Sequence, residues 1–240
     1  MNMKKIALLI PTLNELENVE NLVREIKSNL NNVTIFIIDD SHDDKLGDLL
    51  NKKNIDVNYF HREKSSGRGS AIMFGLKKSL EIGGFDIFVE MDADFSHDPK
   101  ELNRNVNFFL KNNLDLLIGS RYLENSEIVN WSLSRRIFSK LANFLARNLL
   151  QINLTDFTNG FRIYSKRSVE KITNVCGNIG DGFIILSEII VVLTNNNFNI
   201  GEIESYFLNR ERGKSSVNLK LIVASFFGLL KLRLIKNKLK

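Results

Sequence analysis

Asp92 and Asp94 stand two residues apart at the end of the apolar run Ile87-Phe88-Val89-Glu90-Met91. The run reads as a buried strand. Side chains alternate along a strand, but where the backbone turns at its end two carboxylates can converge on one point. Two hard oxygen ligands on an open loop suit Mg²⁺ or Mn²⁺, which keep several waters and take up phosphate oxygens. Asp98-Pro99-Lys100-Glu101 follows at once. This spacing predicts a helix start, with Asp98 as N-cap, Pro99 in the first position and Glu101 closing a capping box. Ligands bind at the carboxyl ends of strands in open α/β sheets. Two solvated aspartates in an acidic turn are the bland alternative.

The elements that must position this pair follow from the rest of the chain. Residues 5–10 read as a buried strand stopped by Pro11. Asn14 and Glu17 could cap a helix whose apolar stripe is Leu16, Val19, Leu22, Val23, Ile26 and Leu30. A second strand, 33–38, ends in Asp39-Asp40; a helix over 46–52 and a short strand at 57–60 come next. Gly67-Arg68-Gly69-Ser70-Ala71 opens another helix and lacks the third glycine of a dinucleotide site. Residues 114–118 form a further strand, and Arg121 just beyond it could grip a phosphate through its planar fork or form an ordinary salt bridge. Residues 133–149 are amphipathic, with Arg135, Arg136 and Lys140 on one face near Trp131. A helix around Ser187-Glu188-Ile189, a strand pair near 200–209 and a helix from 219 to about 239 complete the chain. Alternating strands and helices imply a mostly parallel, doubly wound sheet. Polar residues recur at one rim of it, after strands one, two and four.

The 240 residues fit one α/β domain with an ample core. A single cysteine, Cys176, excludes a disulfide framework or a cysteine zinc site, and the three histidines form no ligand pattern. A reducing compartment is the default, and the short start before the first strand does not read as a signal peptide. The net charge of +5 is unevenly placed: residues 210–240 hold nine Lys/Arg and one acid, Glu211, a local +8 that leaves −3 elsewhere. A basic tail suits nucleic acid, an anionic membrane or a phosphate-bearing ligand. The apolar stretch 221–230 is half the roughly 20 residues a membrane span needs. With its basic flanks it suits a helix lying in a membrane interface or against a partner's membrane helix; a helix docked on the core is the alternative.

These blocks together resemble the GT-A-fold glycosyltransferases of family 2, and within them the dolichol-phosphate mannose synthase branch. The likeness rests on Pro11-Thr12-Leu13-Asn14-Glu15, Ile38-Asp39-Asp40-Ser41, Gly67 to Ala71, Met91 to Pro99 and Gly119-Ser120-Arg121-Tyr122. It continues in Trp131 to Arg136, Asp156-x-x-Asn159-Gly160-Phe161-Arg162 and Arg210-x-x-Gly213-x-Ser215. The resemblance implies a Rossmann-like, three-layer α/β/α GT-A domain with a mostly parallel mixed sheet over 1–216. Residues 217–240 would form a basic amphipathic helix for membrane or partner contact. It implies that Pro11, Leu13, Glu15, Ile38 and Asp40 hold the nucleoside and that Asp92, Asp94 and Ser96 surround Mg²⁺ or Mn²⁺, with Ala93 touching the nucleotide. Asp94, Arg121 and Arg210 would act in the reaction, the two arginines on donor or acceptor phosphates. The family usually has serine where Asn159 stands and lysine where Ser216 stands; Lys214, two residues upstream, could supply the missing cation.

The implied reaction moves mannose from GDP-mannose, a nucleotide-sugar donor, to a polyprenyl or dolichyl phosphate. The protein would be peripheral on the cytoplasmic face of a membrane, the endoplasmic reticulum in a eukaryote. A small membrane-anchoring subunit is a possible partner, and no nucleic acid is. A lipid phosphate is already ionised at neutral pH, so cations that bring two anions together would suffice, without a general base. A hydroxyl acceptor would want a carboxylate base, for which Asp156 or Glu188 could serve. A different nucleotide-sugar such as UDP-glucose or UDP-GlcNAc, a nucleotidyltransferase and a non-enzymatic membrane module are the competing readings.

Overall fold

A computed structural model describes residues 4–63, 67–180, 182–209 and 219–239, with the backbone alone for 219–224. Its first half winds β1 (Ile6–Thr12), α1 (Val19–Asn29), β2 (Val33–Asp39), α2 (Lys45–Lys52) and β3 (Asn58–His61). Then come α3 (Arg68–Ile82), β4 (Ile87–Glu90), α4 (Glu101–Lys111) and β5 (Leu116–Ser120). The second half holds β6 (Glu127–Val129), α5 (Leu133–Leu150), β7 (Arg162–Ser165), α6 (Lys166–Val175) and α7 (Ile184–Asn195). Strands β8 (Ile200–Glu204) and β9 (Tyr206–Leu208) precede α8 (Leu219–Ile235).

Seven strands form one sheet in the order β3-β2-β1-β4-β7-β5-β8. Only β7 runs against its neighbours, β4 and β5. The two-residue period of a strand divides each central strand between two cores. Ala7, Leu9, Phe36, Ile38 and Phe88 enter the core under α3, α6 and α7, whereas Ile6, Leu8, Ile35, Ile37, Ile87 and Val89 enter the one under α1, α2 and α4. The result is three layers, as expected of strands that are apolar on both faces. A Cβ at Gly75 would lie 2.7 Å from both Leu9 Cδ2 and Ile38 Cδ1, so α3 sits closer to the sheet there than any larger residue allows.

The chain leaves β1 outward through β2 and β3, then returns through α3 to β4 on β1's other side. That reversal places the carboxyl ends of β1 and β4 side by side, where a doubly wound sheet opens a ligand crevice.

Three boundaries differ from the sequence reading. Helix α1 begins at Val19, because Asn14 takes a left-handed backbone (φ 59°) and Asn18 instead donates to Glu15 at 2.7 Å. Helix α4 begins at Glu101; Asp98 does accept from the Lys100 amide, but Glu101 turns away to accept from Ser205 Oγ and the Tyr206 amide. The strands at 200–209 do not pair with each other: β8 joins the main sheet and β9 forms a small parallel sheet with β6.

Helix α8 docks on the core. Leu229 and Leu232 are buried beside α5 and α7, and Asn195 Nδ2 donates to the carbonyls of Lys236 and Leu239. No helix among the described residues is long and apolar enough to cross a membrane. The proposed boundary at 216 lies outside the described residues.

Candidate active site

The crevice floor is fixed by carboxylates that face inward. Asp39, at the end of β2, is fully buried and accepts from Thr12 Oγ1, Ser41 Oγ and Tyr59 OH at 2.9, 2.7 and 3.1 Å. Ser41 Oγ in turn accepts from the Asn14 amide, which ties the loop after β1 to the loop after β2. Asp40 points the other way and is gripped bidentately by Arg62 at 2.6 and 2.7 Å. Leu13 is exposed and Glu15 and Pro11 half-buried along this rim. Ile38 is a core residue beneath α3, so its side chain is unavailable to a nucleoside and only its backbone lies along the rim.

The Asp92 loop is built more tightly. Glu90, the last residue of β4, is wholly buried, where an unpaired charge would be costly. Arg68 Nη1 donates to Glu90 Oε1 at 2.6 Å, and Tyr164 OH donates to Oε2 at 2.8 Å. The same guanidinium reaches on: its Nε donates to Asp92 Oδ1 at 2.8 Å. Gly160 makes room for it, since a Cβ there would fall 1.9 Å from Arg68 Nη2. Behind Asp92, His97 Nδ1 accepts from the Asp92 amide at 3.0 Å, which fixes a tautomer whose Nε2 donates to Asn159 Oδ1 at 2.9 Å. Phe95 adopts a left-handed φ of 59°, rare for a bulky residue, and the fold of the loop lets the Ser96 amide bond Asp94 Oδ1.

Among the described residues no three His, Cys, Asp or Glu side chains gather into a closed metal site. The donor set fits an open one. Ser96 Oγ is buried with no hydrogen-bond partner, two residues beyond the nearly buried Asp94 and four beyond the half-exposed Asp92. Two carboxylates and a hydroxyl leave positions for water and diphosphate oxygens, the habit of Mg²⁺ and Mn²⁺. Ala93 is buried between them and could meet a ligand only through its backbone.

Across the crevice the chemistry changes sign. Arg121, past β5, is buried and holds Asp156 with Nε to Oδ2 at 2.7 Å and Nη2 to Oδ1 at 2.8 Å. Burial alone would raise the Asp156 carboxyl, but the Arg121 charge and several donors outweigh it and hold it below the usual carboxylate range. The rings of Phe207, Trp131 and Tyr122 stand 5.3, 5.5 and 5.6 Å from the guanidinium carbon, and Arg135 stacks on Trp131 at 3.9 Å. Beside Arg121 opens a cavity of about 430 Å³ lined by Arg136, Lys140, Arg147, Leu123, Ile128, Phe144 and Leu154. It joins cations to apolar surface. A second cavity, of about 410 Å³, borders Asp94 with Glu17, Asp98 and Tyr206.

Asp92, Asp94 and Ser96 therefore share one loop at the switch point, with Pro11, Leu13, Glu15 and Asp40 on the adjoining rim, and Arg121 faces them from the β5 side. Arg210, Lys214 and Ser216 lie outside the described residues. Sequence reasoning missed Arg68, Glu90, His97 and Tyr164. The signal for Glu90 was its charge inside an apolar strand, which demanded a buried partner. His97, read as outside any ligand pattern, is in fact the spacer behind Asp92. Asp156 and Glu188, the two carboxylates that could have served as a base, are not placed for it. Asp156 is sealed in its ion pair, and Glu188 is wholly buried on α7, where burial pushes its carboxyl up.

The family model for "Glycosyl transferase family 2" matches residues 7–173. This chain belongs to glycosyl transferase family 2. Among curated relatives, polyprenol monophosphomannose synthase of Mycolicibacterium smegmatis is 32% identical over 90% of this chain and 82% of its own length. Undecaprenyl-phosphate mannosyltransferase of Micrococcus luteus is 30% identical over 89% of this chain and 88% of its own. Among solved structures, glucosyl-3-phosphoglycerate synthase of Mycobacterium tuberculosis with Mn²⁺, UDP and phosphoglyceric acid superposes with a TM-score of 0.70 at 17% identity. That match covers 98% of this chain and 78% of the other. It shows the shared GT-A fold. A family 2 glycosyltransferase is an enzyme, so the nucleotidyltransferase and the non-enzymatic membrane module are set aside.

Proposed function

We propose that this family 2 enzyme transfers a mannosyl group from GDP-mannose to a polyprenyl phosphate, giving the lipid-phosphate sugar and GDP, with Mg²⁺ or Mn²⁺ at the Asp92–Ser96 loop. The observation that carries the acceptor is the cavity beside Arg121, where Arg136, Lys140 and Arg147 meet Ile128, Leu154 and Phe144. An anion with an apolar tail matches such a lining; a sugar hydroxyl does not. The relatives' names, both of polyprenyl-phosphate mannosyl transfer, support the same substrate class.

The chain's own residues then divide the work. The rim of Pro11, Leu13, Glu15 and Asp40 would receive the nucleoside, Asp40 after exchanging its grip on Arg62. Asp92, Asp94 and Ser96 would hold the metal, which when bound neutralises charge on the departing diphosphate. Arg121 and its cationic neighbours would orient the lipid phosphate, with Arg210 and Lys214 as further phosphate contacts. One phosphate oxygen attacks the anomeric carbon as the bond from that carbon to the diphosphate oxygen breaks, so the configuration inverts. No proton has to be removed from a monoester already ionised at neutral pH.

Membrane contact would come from the outer face of α5 and α8. Leu133, Ile137, Phe138, Leu141 and Phe144 form one α5 stripe, each 44–73% exposed, and Phe227 and Leu234 on α8 are 64% and 82% exposed. Apolar side chains in a continuous stripe, next to Lys140, Arg147, Lys231 and Arg233, suit a helix pair lying in an anionic interface. The protein would be peripheral, on the cytoplasmic face, with or without a small anchoring subunit. A donor panel of GDP-mannose, UDP-glucose and UDP-GlcNAc, with one polyprenyl phosphate and Mn²⁺, tests the assignment. Lipid-linked sugar from GDP-mannose alone, abolished by EDTA, is expected; preference for a UDP-sugar would overturn the donor.

A further inference from the structure

We infer that His97 and Asn159 are positioning residues that lock the Asp92 loop and the Arg121 guanidinium into one geometry, so that the donor and acceptor ends of the site respond to each other. This rests on the reading that Asp92 and Asp94 serve the donor and Arg121 the acceptor phosphate.

Each link is a hydrogen bond of about 3 Å, and every linked residue but Asp92 is buried. The Asp92 amide donates to His97 Nδ1 at 3.0 Å, and His97 Nε2 donates to Asn159 Oδ1 at 2.9 Å. The Asn159 amide donates to Asp156 Oδ1 at 3.0 Å, the oxygen that also takes Arg121 Nη2 at 2.8 Å. Asn159 Nδ2 donates to the Gly119 carbonyl, two residues before Arg121, so both ends of the amide are used. Three separate segments are thereby joined: the turn after β4, the end of β5 and the turn before β7.

The links have no slack. His97 is fully buried, stacked on Phe161 with ring centres 5.1 Å apart and edged by Phe207 at 5.3 Å, which blocks rotation of the ring. Asn159 is 1% exposed. A pocket walled by aromatic rings would accept an apolar ring in place of His97 at little packing cost. A fully satisfied polar chain there fixes orientation more than it adds stability. Moving the Asp92 amide must strain or break the His97 bond, and the same strain reaches the carboxylate that aims Arg121.

His97→Phe keeps the ring stack and loses both bonds; Asn159→Ala cuts the next link. Two quantities are read in each, Mn²⁺ affinity of the chain without nucleotide and KM for polyprenyl phosphate at saturating donor. The relay predicts that each variant weakens both, by roughly tenfold, as for groups that orient a metal ligand. It also predicts that the double variant is no worse than the weaker single one. Purely local roles would leave the acceptor KM unchanged in His97→Phe and Mn²⁺ affinity unchanged in Asn159→Ala. Either pattern, or effects that multiply in the double variant, overturns the relay. If His97→Phe melts more than about 10 °C below the wild type, Asn159→Leu is read on the same two scales, since an apolar side chain of similar size can neither accept from His97 nor donate to Gly119. Should Asp94→Asn leave Mn²⁺ affinity untouched, or wild type ignore polyprenyl phosphate, the functional reading beneath the relay fails instead.

Discussion

The two sides of the crevice are built on opposite principles. The proposed donor side is a row of parallel strand ends, where backbone direction alone delivers Thr12, Asp39 and Asp92 to one rim, and inward carboxylates such as Asp39 and Glu90 pin the loops with four and two bonds. The proposed acceptor side rests on one buried ion pair, Arg121 with Asp156, ringed by aromatics and opening toward an exposed apolar helix. Rigid anion-lined ground suits a hydrophilic nucleotide held by a cation. A cationic pocket continuous with apolar surface suits a ligand that never fully leaves its membrane. On the proposed function, the contrast reflects two substrates that arrive from two different solvents.

The largest effect should come from the donor side. Asp94→Asn keeps the oxygen that accepts from the Ser96 amide but removes a negative ligand, and kcat/KM should fall on the order of 10²–10³-fold with an unchanged melting temperature. Steady-state kinetics at several Mn²⁺ concentrations would show it; near-normal metal-dependent turnover would remove the distinction between the two sides.

Next is the ion pair that organises the acceptor side. Arg121→Met leaves Asp156 buried and unpaired, at a cost of about 3–5 kcal/mol at pH 7. The sign with pH follows from the lowered Asp156 value in the wild type. Its stabilisation is complete above the ordinary carboxylate range and is lost as pH falls through the folded value. Without Arg121 burial dominates and the neutral acid is favoured, so the gap between variant and wild type should already shrink as pH falls toward about 4. Urea melts at pH 7 and near pH 4 measure this; an equal gap at both would mean the pair is not what holds Asp156 ionised.

A smaller effect is expected at the membrane face. Ile137→Glu with Leu141→Glu, both on the exposed α5 stripe and outside the cavity lining, should reduce flotation with anionic vesicles about tenfold or more, given roughly 1.5–3 kcal/mol for burying each side chain. Soluble turnover on a short-chain acceptor should persist. Unaltered flotation would leave the α5 stripe without a role in docking. The smallest, about tenfold in kcat/KM, is expected for Lys214→Ala if one charge-assisted hydrogen bond to phosphate is lost, with Ser216→Lys restoring much of it; unchanged kinetics would leave phosphate to the arginines.

The donor side was the more legible in sequence because its signals are local. A strand followed by a carboxylate is written in consecutive residues, as at 33–40 and 87–94, and parallel topology sends every such end to the same rim. The acceptor side is assembled across distance. Asp156 meets Arg121 from 35 residues away, and Asn159 meets His97 from 62. Strand β7 hides between β4 and β5 because its four residues follow a loop and run antiparallel. Arg162 within it looked like part of a motif for chemistry. It is wholly buried and donates to the carbonyls of Phe157, Asn159 and Leu186, shaping the turn that carries Asp156. Ile38 can meet the rim only through its backbone for the same reason its strand was easy to find: its side chain is apolar and inside.

The acceptor decides between phosphate-directed transfer and every reading that needs a base. Purified protein with GDP-mannose and Mn²⁺ is given a polyprenyl phosphate, the same polyprenol without phosphate, or a free sugar, and GDP release is followed. The account predicts release with the phosphate alone, matched by lipid-linked mannose. GDP released equally with the polyprenol or the sugar would contradict it.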